Sequence, residues 1–436
     1  MQKIDGQQLI GEITLEDLER SLDSSVTFSA CVHKLRKMSG FTFVILRTGK
    51  YILQSVYTPK QCTDSISELC EGAYITVTGI VKKEVRANYG YEITLTSFEL
   101  LSKPAEEYPL HVSSKKLGCS IETSMAHRSV ALRHPQERAV FKISEGVVSG
   151  FREFMLSQGF TEIHTPKIVA AGAEGGANIF KLKYFDKDAY LAQSPQFYKQ
   201  TCVAFFDRVF EIAPVYRAEK HNSTRHLNEY IGLDFEMAFI NDMHDVMAME
   251  TAMLKYVIDY LSKNYSHELE MLNAELPVID EIPCVTFFEA LDILGKSHNQ
   301  FDLDPTDEVK LCDYSKEQFN SEFIFVEKFP GLKRPFYAMD SKDDPKLAES
   351  FDLLFRGLEI TTGGQRIHDY NEQVEKLRRY HIEPKELGSY IDIHRYGMPP
   401  HGGLGIGLER VVMKLLGLSN IREASLFPRD IHHLDP

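Results

Sequence analysis

The sequence predicts two domains of different class: a small all-β domain closed into a five-stranded barrel, then a larger α+β domain built on an antiparallel sheet with flanking helices. Three observations carry this. The chain has 436 residues, more than one ordinary core holds. Between residues 26 and 101, short runs rich in Val, Ile, Thr, Phe and Tyr are punctuated by Gly40, Gly49, Gly72 and Gly90. From residue 131 the pattern changes to long helical periods and paired strands.

Residues 1–20 form an N-terminal segment in which Ile10, Ile13, Leu15 and Leu18 suit a short amphipathic helix. Residues 21–103 are the barrel domain. Its strands are expected at Val26–His33, Phe41–Arg47, Tyr51–Tyr57, Ala73–Lys82 and Tyr91–Leu101. The usual soluble solution for five such strands is the oligonucleotide-binding (OB) barrel. Residues 104–130 carry Pro104 and Pro109 among Glu, Ser and Lys without a clear period, and read as a hinge.

Residues 131–436 are the second domain. Val140, Ile143, Val147, Phe151 and Phe154 recur at three- and four-residue steps, which predicts a helix over Glu137–Gln158 stopped by Gly159. A strand and Pro166 follow. Val209–Glu219 and Ile231–Ile240 read as two strands of a hairpin, so the sheet is at least partly antiparallel. Residues 241–262 suit a helix. Residues 263–320 are polar, mixed and without motif.

Composition narrows the function classes. Hydrophobic residues make up 43% and charged residues 26%, as in a globular protein. No charged start with an apolar run suggests a signal peptide, and no stretch of about 18 apolar residues suggests a membrane span. Seven cysteines without a Cys-x-x-Cys pair fit a reducing compartment, and the cytoplasm is expected. The net charge of −14 argues against a protein held to nucleic acid by charge alone, but leaves room for a local basic face.

Several segments carry chemistry. In Leu233-Asp-Phe-Glu-Met-Ala-Phe239, strand alternation sends Leu233, Phe235, Met237 and Phe239 to the core and Asp234 and Glu236 to the other face. Neighbouring acids repel, so they form either a solvated face or a site for an ammonium group or a metal. Arg217 and Glu219 end the preceding strand, and Arg225 and His226 close the loop after it. An arginine beside a basic loop suits a polyphosphate, while an Arg217–Glu219 salt bridge is the plainer alternative. His221 and His226 lack a third ligand nearby for zinc. Gly402-Gly-Leu-Gly-Ile-Gly-Leu-Glu-Arg410 lets a ligand approach the backbone, with Arg410 in the first turn of the helix that follows. It is neither a dinucleotide fingerprint nor a P-loop. Asp352 and Glu359 are carboxylates of the kind that accompany Mg²⁺ and ATP.

Together these segments resemble the three signature motifs of class II aminoacyl-tRNA synthetases. The helix, strand and Pro166 resemble the first, Tyr216–Phe239 the second, and Gly403–Arg410 the third. Gln193-Ser-Pro-Gln-Phe-Tyr-Lys-Gln200, Arg225-His-Leu-Asn-Glu229 and Gly364-Gln-Arg-Ile-His368 are similar to aspartyl-tRNA synthetases of the archaeal and eukaryotic type. The resemblance implies activation of L-aspartate by ATP with Mg²⁺, and transfer to tRNA(Asp). It makes 131–436 the catalytic domain and 21–103 the anticodon-binding domain. It also implies a homodimer joined through the first motif, with no membrane attachment.

By the same resemblance, Arg217 and Arg410 are the catalytic cations, on the α- and γ-phosphates. Glu219 meets the adenine amino group, and Arg225 and His226 close on the ATP tail. Asp352 and Glu359 hold Mg²⁺. Ser194, Gln196 and Asp234 surround the α-amino group, with Glu236 behind. Lys199 and Arg366 clasp the aspartate side chain, and Glu174 belongs to a loop that closes over it. On the barrel, Phe41 or Phe43 stacks on a base while Gln54 and Glu92 read base edges. Lys34, Arg36, Lys37 and Arg47 could form the basic face. Related barrels carry Gly-Trp-Val-His where this chain has Ala30-Cys-Val-His33, and it has no Trp. The rivals are an asparaginyl-tRNA synthetase, which Lys199 argues against, an asparagine synthetase of the same catalytic fold, which would lack the barrel, and an inactive RNA-binding relative, which would have lost the motif residues.

Overall fold

The structure is a computed structural model, and it describes residues 3–4, 7–8, 13–170, 178–220 and 223–435. The chain divides into two compact units, Met1–Pro135 and Gln136–Pro436.

In the first unit, β1 (Ser25–Lys37), β2 (Thr42–Arg47), β3 (Ile52–Tyr57), β4 (Tyr74–Lys83) and β5 (Tyr91–Ser102) close into a barrel in the order β1-β2-β3-β5-β4. Every pair is antiparallel except β3 with β5. Alternation drives closure: Phe28, Val32, Val44, Leu46, Val77, Val81 and Leu95 point inward and are fully buried. The five expected strands are all present. The N-terminal helix is shorter than expected, Leu15–Arg20, because Thr14 caps it with a reciprocal Asp17 bond. Ile13 and Leu18 are buried, and Ile10 lies outside the described residues. The stretch read as a hinge contains two short helices, Ile121–Ala126 and Arg128–Ala131.

The second unit is organised by one eight-stranded sheet. Its strands are β6 (Thr161–Glu162), β7 (Arg208–Tyr216), β8 (Glu229–Ala238), β9 (Cys284–Thr286), β10 (Phe323–Glu327), β11 (Ser350–Phe355), β12 (Leu358–Arg366) and β13 (His401–Gly407). The order is β9-β10-β11-β12-β13-β8-β7-β6, antiparallel except for the short outer strands β9 and β6. β11 turns into β12 through Arg356-Gly357, both with positive φ, as a two-residue hairpin requires.

Five helices matter here: α1 (Pro135–Ser157), α2 (Gln196–Phe206), α3 (Met243–Asn264), α4 (Pro305–Phe319) and α5 (Leu408–Leu416). Ile143 and Phe151 of α1, Met243 and Val246 of α3 and Val412 of α5 pack with Phe210, Phe235 and Leu404 of the sheet into one core. The opposite face of the central strands is left to polar residues.

Two expectations fail. Phe239 was assigned to the core, but β8 ends at Ala238, the backbone turns to φ 59 at Phe239, and the ring is 71% exposed. Strand alternation stops applying once the strand stops. Residues 263–320 are not featureless either: they hold the helices Ser266–Leu272 and Phe287–Ile293, strand β9 and helix α4. Thr286 with Glu289, and Asp304 with Asp307, are capping boxes, and Pro305 opens α4. That signature was readable in the sequence.

Glu250 of α3 is fully buried beneath the sheet, where one carboxyl oxygen accepts from Thr361 Oγ1 at 2.6 Å. Burial pushes its carboxyl up to about 8. The native chain therefore holds a proton there that the unfolded chain releases near 4.5, so this group's contribution to stability falls as pH rises from about 4.5 to about 8. Glu250→Gln should remove that part of the slope. Thermal melts across pH 5–8 should then show the variant gaining on the wild type as pH rises.

Candidate active site

The polar face of β8 carries Asp234 and Glu236, and the neighbouring strand explains how they fit. In the register of β8 with β13, Gly405 stands opposite Asp234 and Gly403 opposite Glu236. A Cβ on Gly405 would lie 3.1 Å from Asp234 Oδ1, and one on Gly403 would overlap the Glu236 carboxylate. The glycine-rich strand thus leaves room first for the chain's own acids.

Two cations descend onto them. α2 places Gln196, Lys199 and Gln200 on its buried face, at three- and four-residue steps. Lys199 Nζ donates to Asp234 Oδ1 at 2.9 Å and to the Leu404 carbonyl at 2.8 Å, and lies 3.5 Å from Glu236 Oε2. Arg366, the last residue of β12, donates through Nε to Glu236 Oε1 at 2.9 Å and through Nη2 to the Gly403 carbonyl at 2.8 Å. All four side chains are nearly or fully buried. Burial raises the Asp234 carboxyl against the pull of Lys199. For Glu236, burial is outweighed by Arg366 and Lys199 together, which hold it below its usual range. Of the two sequence readings of these acids, the solvated face is excluded.

Behind this quartet, Gln200 Nε2 meets His401 Nε2 at 2.9 Å, and His401 Nδ1 meets the Pro399 carbonyl at 2.8 Å. A carbonyl only accepts, so Nδ1 carries the proton and Nε2 accepts. Burial pushes His401 down to about 4, so the ring is neutral.

The other end of the cleft is rich in guanidinium. Arg217 follows β7, with its guanidinium carbon 6.0 Å from the centre of the Tyr230 ring. Arg410, in the first turn of α5, donates to the Glu359 carbonyl at 2.9 Å and lies 3.6 Å from its carboxylate. Arg225 is paired with Glu308 of α4, and Glu308 also accepts from the Glu359 N–H at 2.8 Å. His226 Nδ1 meets Ser223 Oγ at 2.6 Å; burial, then Arg410, holds the ring below its ordinary pKa. Glu219 accepts from Asn178 Nδ2 at 3.4 Å.

Asp352 and Glu359 share this end. Both Asp352 oxygens are taken by the Arg334 fork, at 2.9 and 2.6 Å, and Arg334 stacks 3.8 Å over the Phe329 ring. Burial raises Asp352 to about 6 although Arg334 opposes it. Glu359 is held below the usual carboxylate range, because Arg410 and Thr362 outweigh its burial. Among the described residues no three His, Cys, Asp or Glu side chains converge on a point that could hold a metal ion. Two carboxylates suit an ion carried in on phosphates, as Mg²⁺ is with ATP, better than a resident metal.

One cleft of about 760 Å³ joins the two ends. Ser194, Gln196, Lys199, Arg217, Glu219, Arg225, His226, Asp234, Asp352, Glu359, Arg366 and Arg410 all line it. Glu236 lies just beneath, fully buried. Glu174 and His221 lie outside the described residues. On the barrel, Phe41 and Phe43 are half-buried neighbours on its outer surface, edge to face at 5.1 Å, with Arg36 over the Phe43 ring. Gln54 donates to Glu92 at 2.6 Å across β3 and β5. Among the described residues no helix is long and apolar enough to cross a membrane.

Sequence reasoning missed Arg334 and Glu308. The capping box of Asp304 and Asp307 marks the start of α4 but not the pairing of Glu308 with Arg225, 83 positions away. Arg334, which follows the short turn Gly331–Lys333, had no local signal, since its partner Asp352 lies on β11. Removing one member of such a buried pair leaves an uncompensated charge, so Arg334→Ala should lower the unfolding free energy by about 3–5 kcal/mol. Urea melts of Arg334→Ala, Asp352→Ala and the double variant should show the double losing less than the sum.

Residues 120–431 match the family described as tRNA synthetases class II (D, K and N), and residues 26–101 match the OB-fold nucleic acid binding domain. The chain is 41% identical to an aspartate–tRNA(Asp/Asn) ligase of Deinococcus radiodurans, over 96% of this chain and 98% of that protein. It is 39% identical to an aspartate–tRNA(Asp) ligase of Pyrococcus abyssi, over 94% and 96%. Among solved structures, an asparaginyl-tRNA synthetase from Pyrococcus horikoshii complexed with asparaginyl-adenylate superposes with a TM-score of 0.90 at 29% identity, covering 98% of this chain and all of that one. A barrel, a glycine-lined antiparallel sheet and a guanidinium-rich end of one cleft are thus found together with full-length likeness, and the chain belongs to the class II tRNA synthetases (D, K and N).

Proposed function

We propose that this chain is an aspartate–tRNA ligase, which activates L-aspartate with ATP and transfers it to the 3′ end of tRNA(Asp). The observation that carries this reading is the pair of buried cations, Lys199 and Arg366, at one end of a cleft whose other end holds Arg217, Arg225 and Arg410.

The side-chain carboxylate of aspartate takes hydrogen bonds from Lys199 and Arg366. Its ammonium group faces Asp234, with Ser194 and Gln196 beside it and Glu236 behind. Asparagine would offer Lys199 and Arg366 a neutral amide, which competes less well than a carboxylate for cations already engaged by Asp234 and Glu236. ATP lies with its adenine amino group at Glu219, its α-phosphate on Arg217, its γ-phosphate on Arg410, and its tail under Arg225 and His226. Glu359, with Asp352, would hold a Mg²⁺ ion brought in on ATP, which would supply neutralisation of phosphate charge. Glu359 is the readier ligand, because Asp352 is engaged by Arg334.

An oxygen of the aspartate α-carboxylate then attacks the α-phosphorus, the bond to the bridging oxygen breaks, and pyrophosphate leaves. Negative charge grows on the phosphoryl oxygens, so the arginines act by electrostatics and positioning, and no protein nucleophile is needed. In the second step a terminal tRNA hydroxyl attacks the activated carbonyl, AMP leaves, and its phosphate accepts the proton. The barrel reads the anticodon, with Phe41 or Phe43 stacking on a base and Gln54 and Glu92 at base edges. The working unit is a homodimer joined through α1 and β6. Seven free cysteines suit a reducing cytoplasm.

Pyrophosphate exchange into ATP, with each amino acid offered separately and no tRNA, tests the first step. Exchange with aspartate is expected. Exchange with asparagine alone would transfer the chain to the asparaginyl branch and overturn the roles given to Lys199 and Arg366. Arg217→Ala should lower kcat/KM for exchange by about 10²–10³. The double variant Phe41→Ala/Phe43→Ala should leave exchange intact and raise the KM for tRNA, because one to three kcal/mol of stacking, as an order-of-magnitude figure, is lost per base.

A further inference from the structure

The loop between β7 and β8 carries Arg217, Glu219, Arg225 and His226, and Asn228 ties its two ends together. The Asn228 carbonyl accepts from the Arg217 N–H at 2.9 Å. Its side-chain amide donates to the carbonyls of Arg217 and Glu219, at 2.7 and 3.0 Å.

Besides Asn178, which meets Ala218 and Glu219, and Glu308, which pairs with Arg225, the loop base is held by one remote stretch, Ile421–Asp430. The Asn228 N–H donates to the Arg429 carbonyl at 2.8 Å, and Glu229 forms an antiparallel bridge with Arg429. The Ile421 N–H donates to the Thr224 carbonyl at 2.9 Å, and Arg422 Nη1 to the Ser223 carbonyl at 3.4 Å. The stretch is held in shape by an ion pair between Arg422 Nε and Asp430 Oδ2 at 2.5 Å, with side chains only 9% and 4% exposed. The other Asp430 oxygen accepts from the N–H groups of His432 and His433, and from the His433 ring. None of these residues lines the cleft except Ile421.

A buried ion pair is weak evidence for stability, since burial costs both charges their water; its surer use is to fix one geometry. Here that geometry sets the segment that grips the loop base on both sides. We propose that Ile421–Asp430 is a clamp on the ATP-binding loop, with Arg422 and Asp430 as positioning residues for Arg217 and Arg225. The proposal rests on the ligase reading for what the loop binds. The clamp acts at the phosphate end only, because Lys199 and Arg366 are set by α2 and β12.

The test uses the full-length chain and Asp430→Asn, which keeps the shape and removes the charge. In pyrophosphate exchange the KM for ATP should rise about tenfold while the KM for aspartate stays within about twofold. Asp430→Glu should recover most of the loss. Equal rises in both KM values, or an unchanged KM for ATP, overturn the clamp. Limited trypsin digestion at Lys220 and Arg225 gives a readout that needs no activity: cleavage should be faster in the variant than in the wild type. If the wild type exchanges with no amino acid, the ligase reading fails, and equal cleavage rates would separately sink the clamp. Should Asp430→Asn not fold, Arg422→Lys takes its place, with the same split expected at smaller size.

Discussion

The arrangement of the catalytic unit turns on one constraint: two acids and two cations share a dry space on the face of a sheet. An isolated ion there would lose its hydration with nothing to replace it. Lys199 with Asp234, and Arg366 with Glu236, remove that difficulty in pairs. Each cation also donates to a carbonyl of β13, to Leu404 and Gly403. The acids have their place because β13 lacks side chains at Gly403 and Gly405, where a Cβ would run into the Glu236 carboxylate and crowd Asp234. The composition of β13, the placement of α2 and the end of β12 are therefore one solution to one electrostatic problem.

This solution has a consequence for ligand recognition. The site is charge-balanced before anything binds, so a substrate does not fill a bare positive hole. It rearranges an existing network, and the group that fits best is one that carries both a carboxylate for the cations and an ammonium for the acids. An α-amino acid with an acidic side chain carries both. The same logic recurs at the other end, where Arg334 covers Asp352, Arg410 lies by Glu359, and Glu308 holds Arg225. Arg410 helps hold Glu359 below the usual carboxylate range, while burial raises Asp352 and Glu308 against Arg334 and Arg225, and a phosphate chain would compete for these arginines.

Position along the cleft separates two kinds of support. The amino-acid end is set by regular elements, a helix and three strands, whose backbone bonds fix side chains closely. The phosphate end combines Asp352 of β11, Glu359 of β12 and Arg410 of α5 with a loop that is restrained by α4 and by Ile421–Asp430, with Asn228 as the junction. A loop admits and releases a large ligand more readily than a strand does, at the cost of needing restraints from elsewhere in the chain.

The sequence by itself determined the barrel, the β7–β8 hairpin, the glycine strand followed by the Arg410 helix, and the sharing of one strand face by Asp234 and Glu236. Each follows from local periodicity or turn chemistry, which act over a few residues. It did not determine where β8 stops, so Phe239 was misassigned, and it left 263–320 blank although two capping boxes were there to read. What only the tertiary structure decided is which charge meets which. Lys199 finds Asp234 across 35 positions, Arg225 finds Glu308 across 83, and Arg366 finds Glu236 across 130. No local preference encodes such pairs, because the attraction counts only after folding has removed the water between the charges.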